Sequence, residues 1–598
     1  MSKRHFWITL IPVASVVFLI LFFIPGLGEA IFSIDDSTLF TQSFLRNNWS
    51  WDSFKVLITP GYSPDFYPLR DLSTWIDWTF SKNIDVDTTI PKIQNLLWLI
   101  GIGILTFVFL KRITSQVFFS LIMSCAWFLH PFHLESLHWI SARKDLMSWF
   151  FILCSVLFVQ DYFQAKSRLD KWNLPLATLM FWFSLLCKAG FLLLPFSLLG
   201  WILFCTVFYK NKFSKSFIVW TGIGSGISVL FVLLNYWNYT ENNYMQMTET
   251  GYIRFLSVMS ALGRNLLGIV VPYYNAVDVE PWGGWYFYNK SFAPLGIVSI
   301  IGFVGMISYA VWKRNSRAIL LCAIILSILA MTPGFNPQHR NFYSIRYFEP
   351  VFFVLWIVLC IRLNQTKRAV QYSILLLFGF GVAHASDAWS WQSNLDMTRK
   401  SHSISPQDPS LMGMLLLEYY NQDSWGRLNK EETAAYHALF RQTVAECVYA
   451  EKTNGRCLAF LAHVTELAEG TKTPKEELPN LLEKGLMKSI EIKKQVFSEV
   501  SESEIAWSVF RYKMTIGEFD LPSLRSYFAN HKYIFDDFTR VRYLIYQCLE
   551  VNPAHSQKIY REWLSQSVIA QREVHEFIQG LRHENLRDTA KSCLYSKK

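Results

Sequence analysis

A series of long apolar segments fills residues 1–390 and restricts the fold more than any other feature of the chain. A helix that crosses a bilayer needs about 20 mostly apolar residues. The first such segment runs from Trp7 to Gly28. A cleaved signal peptide is the alternative, but its apolar core would be only about 7–15 residues long, so we expect an uncleaved first span. Ten further candidate spans follow, at residues 92–110, 115–129, 145–163, 174–188, 190–209, 217–236, 294–312, 318–333, 347–363 and 370–386.

Basic residues between the apolar segments predict the orientation of the chain. Lys and Arg collect in every second loop if the N-terminus is cytoplasmic and segment 255–272 does not cross the bilayer. That segment carries Arg264 and Asn265, and we interpret it as a re-entrant or interfacial helix. About eleven spans then place residues 391–598 outside the cytoplasm. The loops largely explain the net charge of +10, which is therefore no evidence for nucleic-acid binding.

The C-terminal part of the chain has the composition of a soluble protein. Its sequence shows helical periodicity in segments such as 431–451 and 538–550, which predicts an all-α, solenoid-like domain of helix pairs. We therefore expect two domains, a transmembrane domain at 1–390 and an extracytoplasmic helical domain at 391–598. The first extracytoplasmic loop of the transmembrane domain would occupy residues 29–90. The helical domain is expected to bind a protein or glycan acceptor, with a structural cap as the alternative.

Charged residues of both signs collect in the predicted outer loops. Arg143 and Lys144 fall in the first turn of a predicted helix, where free backbone N–H groups and the helix dipole attract anions. These two cations predict a phosphate site, although anchoring of long cationic side chains at the membrane interface is the alternative. The candidate site residues in these loops are Asp35, Asp36, Arg70, His130, His133, Glu135, Arg143, Lys144, Lys188 and Arg346.

The histidines of segment 130–146 raise the question of a metal site. Pro131 lies between His130 and His133, so a regular helix through both is not expected, and the HExxH pattern is absent. We therefore predict that His130, His133 and Glu135 support the site or contact substrate. No metal ligand is assigned, but the sequence does not exclude a divalent metal.

Six motifs in order carry a resemblance to a known family. Asp35–Asp36 is the first, and the others are YPLRDLS at 67–73, HPFHLESLHWISARKDLMS at 130–148, LLCKAGFLLLP at 185–195, TPGFNPQHRNFYSIRYFEP at 332–350 and WSWQSNL at 389–395. Together they resemble the TMTC proteins, which are transmembrane and tetratricopeptide-repeat-containing O-mannosyltransferases of the GT-C glycosyltransferase superfamily. Two departures are Ala189, where the family has Glu, and the lack of evident 34-residue repeats in the tail.

The resemblance implies an all-α, polytopic membrane enzyme of the GT-C type. Such an enzyme transfers a sugar, mannose in the resembled proteins, from a polyprenyl-phosphate donor to a hydroxyl on the extracytoplasmic face, with inversion. Asp36 is the expected base, with Asp35 as neighbour or alternative, and Arg143, Lys144, Lys188 and Arg346 would bind phosphate. The lipid-linked sugar is a substrate, so no cofactor is assigned. The expected location is the inner, cytoplasmic membrane of a bacterium.

Two other classes of function compete with this interpretation. A non-catalytic membrane scaffold that presents the helical domain is one, and the departure at Ala189 favours it. A transporter or flippase for a lipid-linked substrate is the other. Transporters commonly contain inverted repeats with polar residues at mid-membrane, whereas here no such symmetry is evident and the charges collect at one face.

Overall fold

The structure is a computed structural model that describes most of residues 50–404. The described ranges are 11–12, 14–20, 50–59, 66–81, 88–164, 172–241, 251–271, 292–331 and 345–404, with isolated residues at 23, 27, 415, 418–419, 430–432 and 434. The chain forms two compact units, residues 1–439 and 440–598. The second unit lies outside the described residues, as does most of the predicted helical domain at 391–598, so the predicted domain boundary stays a prediction.

The described part of the chain is all-helical and contains no strand. Residues 14–20 are helical, and the bounded helices after them are numbered here in chain order. They are α1 (Trp51–Ile58), α2 (Pro68–Phe80), α3 (Thr89–Thr114), α4 (Val117–Phe128), α5 (His133–His138), α6 (Arg143–Phe163), α7 (Asn173–Cys187), α8 (Leu194–Tyr209), α9 (Lys215–Glu241), α10 (Gly251–Val270), α11 (Ala293–Trp312), α12 (Ser316–Met331), α13 (Glu349–Asn364), α14 (Ala369–Ala388) and α15 (Asn394–Ile404). Short 3₁₀ turns lie at Ile140–Ala142, Ala189–Phe191, Ile345–Phe348 and Trp389–Trp391.

Seven helical segments among the described residues are long and apolar enough to cross a bilayer, which identifies a membrane protein. They are α3, α9, α11, and the helices α6, α8, α13 and α14 with adjoining 3₁₀ residues. Four further apolar helical segments, in α4, α7, α10 and α12, are shorter, at 10–17 residues. A span needs about 20 residues, so the count of about eleven stays a prediction.

Large side chains on α3, α4, α6 and α13 fill one continuous hydrophobic core. Trp127 of α4 and Trp356 of α13 are fully buried in it, and Trp149 of α6 stacks on Phe191, with ring centroids 5.4 Å apart. Aromatic side chains of this size remove much apolar surface from their surroundings and fix the helices that carry them. This core holds the starts of α6 and α13 close together, and both carry charged residues.

Helices α10 and α11 approach each other through glycine. A Cβ atom on Gly263 would collide with the carbonyl oxygen of Phe292, and one on Gly296 would collide with the carbonyl oxygen of Met259. Only residues without a side chain allow backbones to come so close. Segment 255–272 is thus largely a helix packed on α11, and the prediction that it does not cross the bilayer stays a prediction.

The turns that carry the basic residues lie together at one end of the helices. Hydrogen bonds and an ion pair join the C-terminal ends of α3, α6, α8, α11 and α13 and the turn before α9. The contacts are Arg112 Nη1–Asp161 Oδ1 (2.8 Å), Asn364 Nδ2–Thr114 O (3.4 Å), Tyr162 Oη–Ser214 Oγ (2.9 Å) and Tyr209 Oη–Val311 O (3.2 Å). The starts of α6 and α13 therefore lie at the opposite end.

Candidate functional site

The polar segment at residues 130–146 lies between α4 and α6 and is almost wholly buried. Helix α5 begins at His133, after Pro131, and all of its residues are buried. Polar groups removed from water need hydrogen-bond partners, because an unpaired one costs several kcal/mol, about 2–7 by transfer measurements. The partners of each side chain therefore show which groups hold the structure together and which remain available to a ligand.

His133 connects α5 to the start of α13. Its Nδ1 lies 2.7 Å from Oε1 of Glu349, and its Nε2 lies 3.0 Å from the carbonyl oxygen of Trp127. Ser136 donates a further hydrogen bond to the same Glu349 oxygen, at 3.3 Å. Both ring nitrogens of His133 lie within hydrogen-bond distance of an oxygen atom. His133 thus fixes Glu349 and the helix that begins with it.

His130 has the hydrogen bonds of a neutral ring. The backbone N–H of Phe132 donates to Nδ1 at 3.1 Å, and Nε2 lies 3.1 Å from the carbonyl oxygen of Ile269 in α10. Nε2 therefore carries the proton. Burial lowers the pKa of His130 to about 3, so the ring stays neutral at physiological pH. His130 supports the fold by tying α10 to this segment.

Arg143 directs its donors at protein groups. It pairs with Asp77 of α2, and its Nε donates to Oδ1 of Asn95 at 2.9 Å. Its other contacts are the carbonyl oxygens of Ser73 (3.3 Å) and Pro91 (2.8 Å). Burial raises the pKa of Asp77, while the charge and hydrogen bond of Arg143 oppose that rise. Arg143 joins α2, α3 and α6 and does not line the cavity described below.

Two other predicted cations lie close to this arrangement. Arg70 of α2 is buried, its Nε donates to Oδ1 of Asp71 at 2.7 Å, and it lies over the ring of Tyr67. Lys144 is half-buried in the first turn of α6. Nothing among these contacts tests the predicted role of Arg70 or Lys144 in binding.

A cavity opens between the starts of α6 and α13 and the turn after α7. Two of the predicted cations, Lys188 and Arg346, line it although 157 positions of sequence separate them, and Glu349 lines it as well. The residues around it are Asp145, Ser148, Trp149, Lys188, Gly190, Phe191, Ile328, Met331, Arg346, Tyr347, Glu349 and Pro350. The cavity therefore combines charges of both signs with aromatic and aliphatic walls.

Arg346 is fully buried beside this cavity, and its donors are not all used. Its Nη2 donates to Oη of Tyr347 at 3.2 Å, and its guanidinium lies 3.9 Å from the centre of the Trp139 ring. Nε lies 3.6 Å from Oε1 of Glu135 and 3.9 Å from Oδ2 of Asp145, too far for hydrogen bonds. Within the described residues, Nε and Nη1 have no hydrogen-bond partner. Such a guanidinium favours an acceptor ligand.

Lys188 also lines the cavity and is less deeply buried than Arg346. Its ammonium pairs with Asp145 and lies 4.1 Å from the ring centre of Tyr347. Tyr347 thus contacts both cations, one through its ring and the other through its hydroxyl. Sequence reasoning did not assign Asp145 or Tyr347 to the site, although Asp145 follows Arg143 and Lys144, and Tyr347 follows Arg346.

The predicted residues that the structure describes fall into three groups, and Lys144 belongs to none of them. Lys188, Arg346 and Glu135 surround or adjoin the cavity, whereas Arg143 and Arg70 hold the fold beside it. His130 and His133 support the segment beneath it. Asp35 and Asp36 lie outside the described residues. Among the residues that the structure describes, no group of three or more His, Cys, Asp or Glu side chains could hold a metal ion.

No family model, curated protein or solved structure matches this chain.

Proposed function

We propose that this membrane protein is a GT-C-type glycosyltransferase that transfers a sugar from a polyprenyl-phosphate donor to a hydroxyl acceptor on the extracytoplasmic face. One observation carries the proposal: a buried guanidinium with unsatisfied donors, Arg346, shares a cavity with the ammonium of Lys188. Paired cations in a water-poor site suit a phosphate leaving group, and the order of the sequence motifs supports sugar transfer as the reaction.

The reaction needs two kinds of group. The acceptor hydroxyl must lose a proton as it attacks the sugar, and Asp36 is the proposed base, with Asp35 beside it. The phosphate oxygen gains negative charge as its bond to the sugar breaks, and Lys188 and Arg346 would stabilise that charge. Both carboxylates follow the first apolar segment in the sequence and lie outside the described residues.

The remaining predicted residues receive roles that fit their contacts. Arg143 and Arg70 position the helices around the cavity. Lys144 does not line the cavity, and its proposed contact with the lipid phosphate rests only on its place in the first turn of α6. His130 and His133 hold the segment that carries Glu135. In this proposal about eleven spans cross the inner membrane of a bacterium. The TPR-like helical domain at 391–598 lies outside the cytoplasm, where it binds the protein or glycan acceptor.

Transfer by the purified, full-length protein in lipid nanodiscs tests the proposal. We expect transfer of radiolabelled sugar from polyprenyl-phosphate mannose or a related donor, and loss of at least about 100-fold in rate for Asp36→Asn. Arg346→Gln should reduce the rate by a similar factor, about 10²–10³. Arg112→Gln changes a partly exposed cation at the far end of α3 and should retain activity. Unchanged transfer in both Asp36→Asn and Arg346→Gln would refute the proposed site.

A further inference from the structure

Asp145 contacts both cations of the cavity, and the proposed reaction gives it no role. Its Oδ1 pairs with the ammonium of Lys188, and its Oδ2 lies 3.9 Å from Nε of Arg346. Oδ2 is buried and has no hydrogen-bond partner among the described residues. A carboxylate therefore lies beside the two groups proposed to bind the phosphate.

The charge of this arrangement limits what the cavity can bind. Lys188, Arg346 and Asp145 together carry one net positive charge. The carboxylate of Glu135, 3.6 Å from Arg346, brings this sum to zero, whereas Glu349 is paired with His133 at 2.7 Å. Charges at such distances interact strongly when they are largely removed from water. An anion with one negative charge is therefore accommodated more readily than one with two.

The proposed reaction changes the charge of its phosphate group. The acceptor oxygen forms a bond to the anomeric carbon, and the bond from that carbon to the phosphate oxygen breaks. The electron pair of the broken bond stays on the phosphate, and the hydroxyl proton passes to the carboxylate base. The donor is a phosphodiester with one negative charge, whereas the product is a monoester with about −1.5 to −2 at pH 7.

We propose, on the basis of the proposed function, that Asp145 makes the site discriminate between the two lipids. Its carboxylate holds Lys188 and Arg346 in place and repels the additional charge of the product. The monoester therefore binds more weakly than two cations alone would allow, which promotes its release after transfer. Product release limits the turnover of many enzymes, so a group that weakens product binding assists the cycle.

Binding of two lipids that differ in one charge tests this inference. The probes are a long-chain polyprenyl phosphate and its monomethyl ester, which is a diester, with the uncharged polyprenol as the reference. The dissociation constants are obtained at pH 7.5 from ligand-dependent thermal stability of the full-length protein in detergent. We expect Asp145→Asn to strengthen binding of the monoester about tenfold and binding of the diester about threefold or less. Asp145→Glu keeps the charge and should retain the wild-type ratio.

The control is Asp161→Asn on the same helix, since Asp161 pairs with Arg112 at the opposite end and should leave both constants unchanged. Equal effects of Asp145→Asn on both lipids, or no effect, would overturn the inference while leaving the proposed function intact. If neither phosphate lipid binds more tightly than polyprenol, the proposed function is overturned instead. The wild-type protein gives a second test that needs no variant, because a monoester bound more than tenfold tighter than the diester contradicts the discrimination.

Discussion

Two buried arginines show how the same side chain serves different purposes in this protein. Arg143 has partners on α2 and α3 and one acidic contact, Asp77, so its charge is compensated within the fold. Arg346 is equally buried, but two of its nitrogens have no hydrogen-bond partner in the described structure. A buried cation whose donors all have partners within the protein holds the fold together, whereas a buried cation with unpaired donors favours the binding of an acceptor ligand. This difference is the reason why we propose a structural role for Arg143 and a binding role for Arg346.

Removal of the Asp77 charge should destabilise the protein. Asp77→Asn leaves Arg143 buried without a counter-ion, and breaking a buried pair costs about 3–5 kcal/mol. The measurement is the midpoint of thermal unfolding of the purified protein in detergent. Asp161→Asn removes an ion pair that is 39% exposed at Asp161 and should cost at most about 1 kcal/mol. Equal midpoints for Asp77→Asn and the wild type would show that this pair is not buried.

Acidification should destabilise the protein through His130. Burial lowers its pKa to about 3 in the folded protein, from an ordinary 6.5 when unfolded. The unfolded chain therefore binds a proton that the folded chain excludes, and stability falls as the pH drops from about 6.5 towards 3. One such group contributes a slope of about 1.4 kcal/mol per pH unit. The measurement is the unfolding midpoint from pH 7.5 to 5.

The matched variant is His130→Gln, whose amide can donate to Ile269 and accept from Phe132 but does not titrate. We expect it to reduce the pH dependence of the unfolding midpoint. A pH dependence that is the same in His130→Gln and in the wild type would contradict the assignment.

At the scale of the elements, glycine determines how α10 packs on α11. The two helices meet where Gly263 faces Phe292 and Gly296 faces Met259, and each contact is with backbone atoms that have no freedom to rotate away. The interface therefore depends on backbone contact more than on interlocking side chains. Because α10 also receives the hydrogen bond from His130, its position affects the segment beneath the cavity.

Gly296→Ala should separate α10 from α11. The added methyl group collides with the backbone at Met259, and such overpacking costs about 1–3 kcal/mol. Gly302→Ala on the same helix is the matched control, since a Cβ there meets no atom within 4 Å. Alanine also favours a helix by up to about 1 kcal/mol, so the control should be neutral or stabilising. Thermal unfolding compares the two, and equal effects would contradict the close contact.

The sequence predicts these helices well and their contacts poorly. Apolar length alone locates the helices, because a bilayer requires it, and seven of the predicted spans coincide with the seven helices long enough to cross, as for 92–110 in α3. The sequence suggests Glu135 as a candidate partner of Lys188, whereas the structure pairs Lys188 with Asp145, because sequence order does not show which carboxylate lies nearest in space. Likewise, the position of Arg143 suits a phosphate site, and only its contacts with Asn95 and Asp77 reveal another use.

At the scale of the whole molecule, the helices place the basic turns and the charged cavity at opposite ends. The basic turns at residues 210–215, 313–317 and 362–368 lie at one end of the described helices, and the cavity with Lys188 and Arg346 lies at the other. Basic loops are enriched on the cytoplasmic side of membrane proteins. The geometry thus agrees with an orientation in which the cavity faces away from the cytoplasm, which stays a prediction.

Cysteine labelling in cells tests that orientation. Asn315→Cys and Thr366→Cys lie in exposed turns at the basic end, whereas Ser393→Cys follows α14 at the opposite end. In a background without native cysteines, a membrane-impermeant maleimide should label Ser393→Cys in intact cells. The other two should react only after the membrane is opened. Labelling of all three positions from the same side would contradict the predicted orientation.

The buried contacts of Arg143 also restrict the movement of α2. Helix α2 is joined through Asp77 and Ser73 to Arg143, which also contacts α3. Movement of α2 away from Arg143 would therefore leave the guanidinium either exposed or buried without a counter-ion. At about 3–5 kcal/mol, such an excursion would occupy less than about one molecule in a hundred. Helix α2 is therefore fixed in place and does not act as a moving lid. Under the proposed function, a long-chain lipid then has to enter sideways, between helices and from within the bilayer.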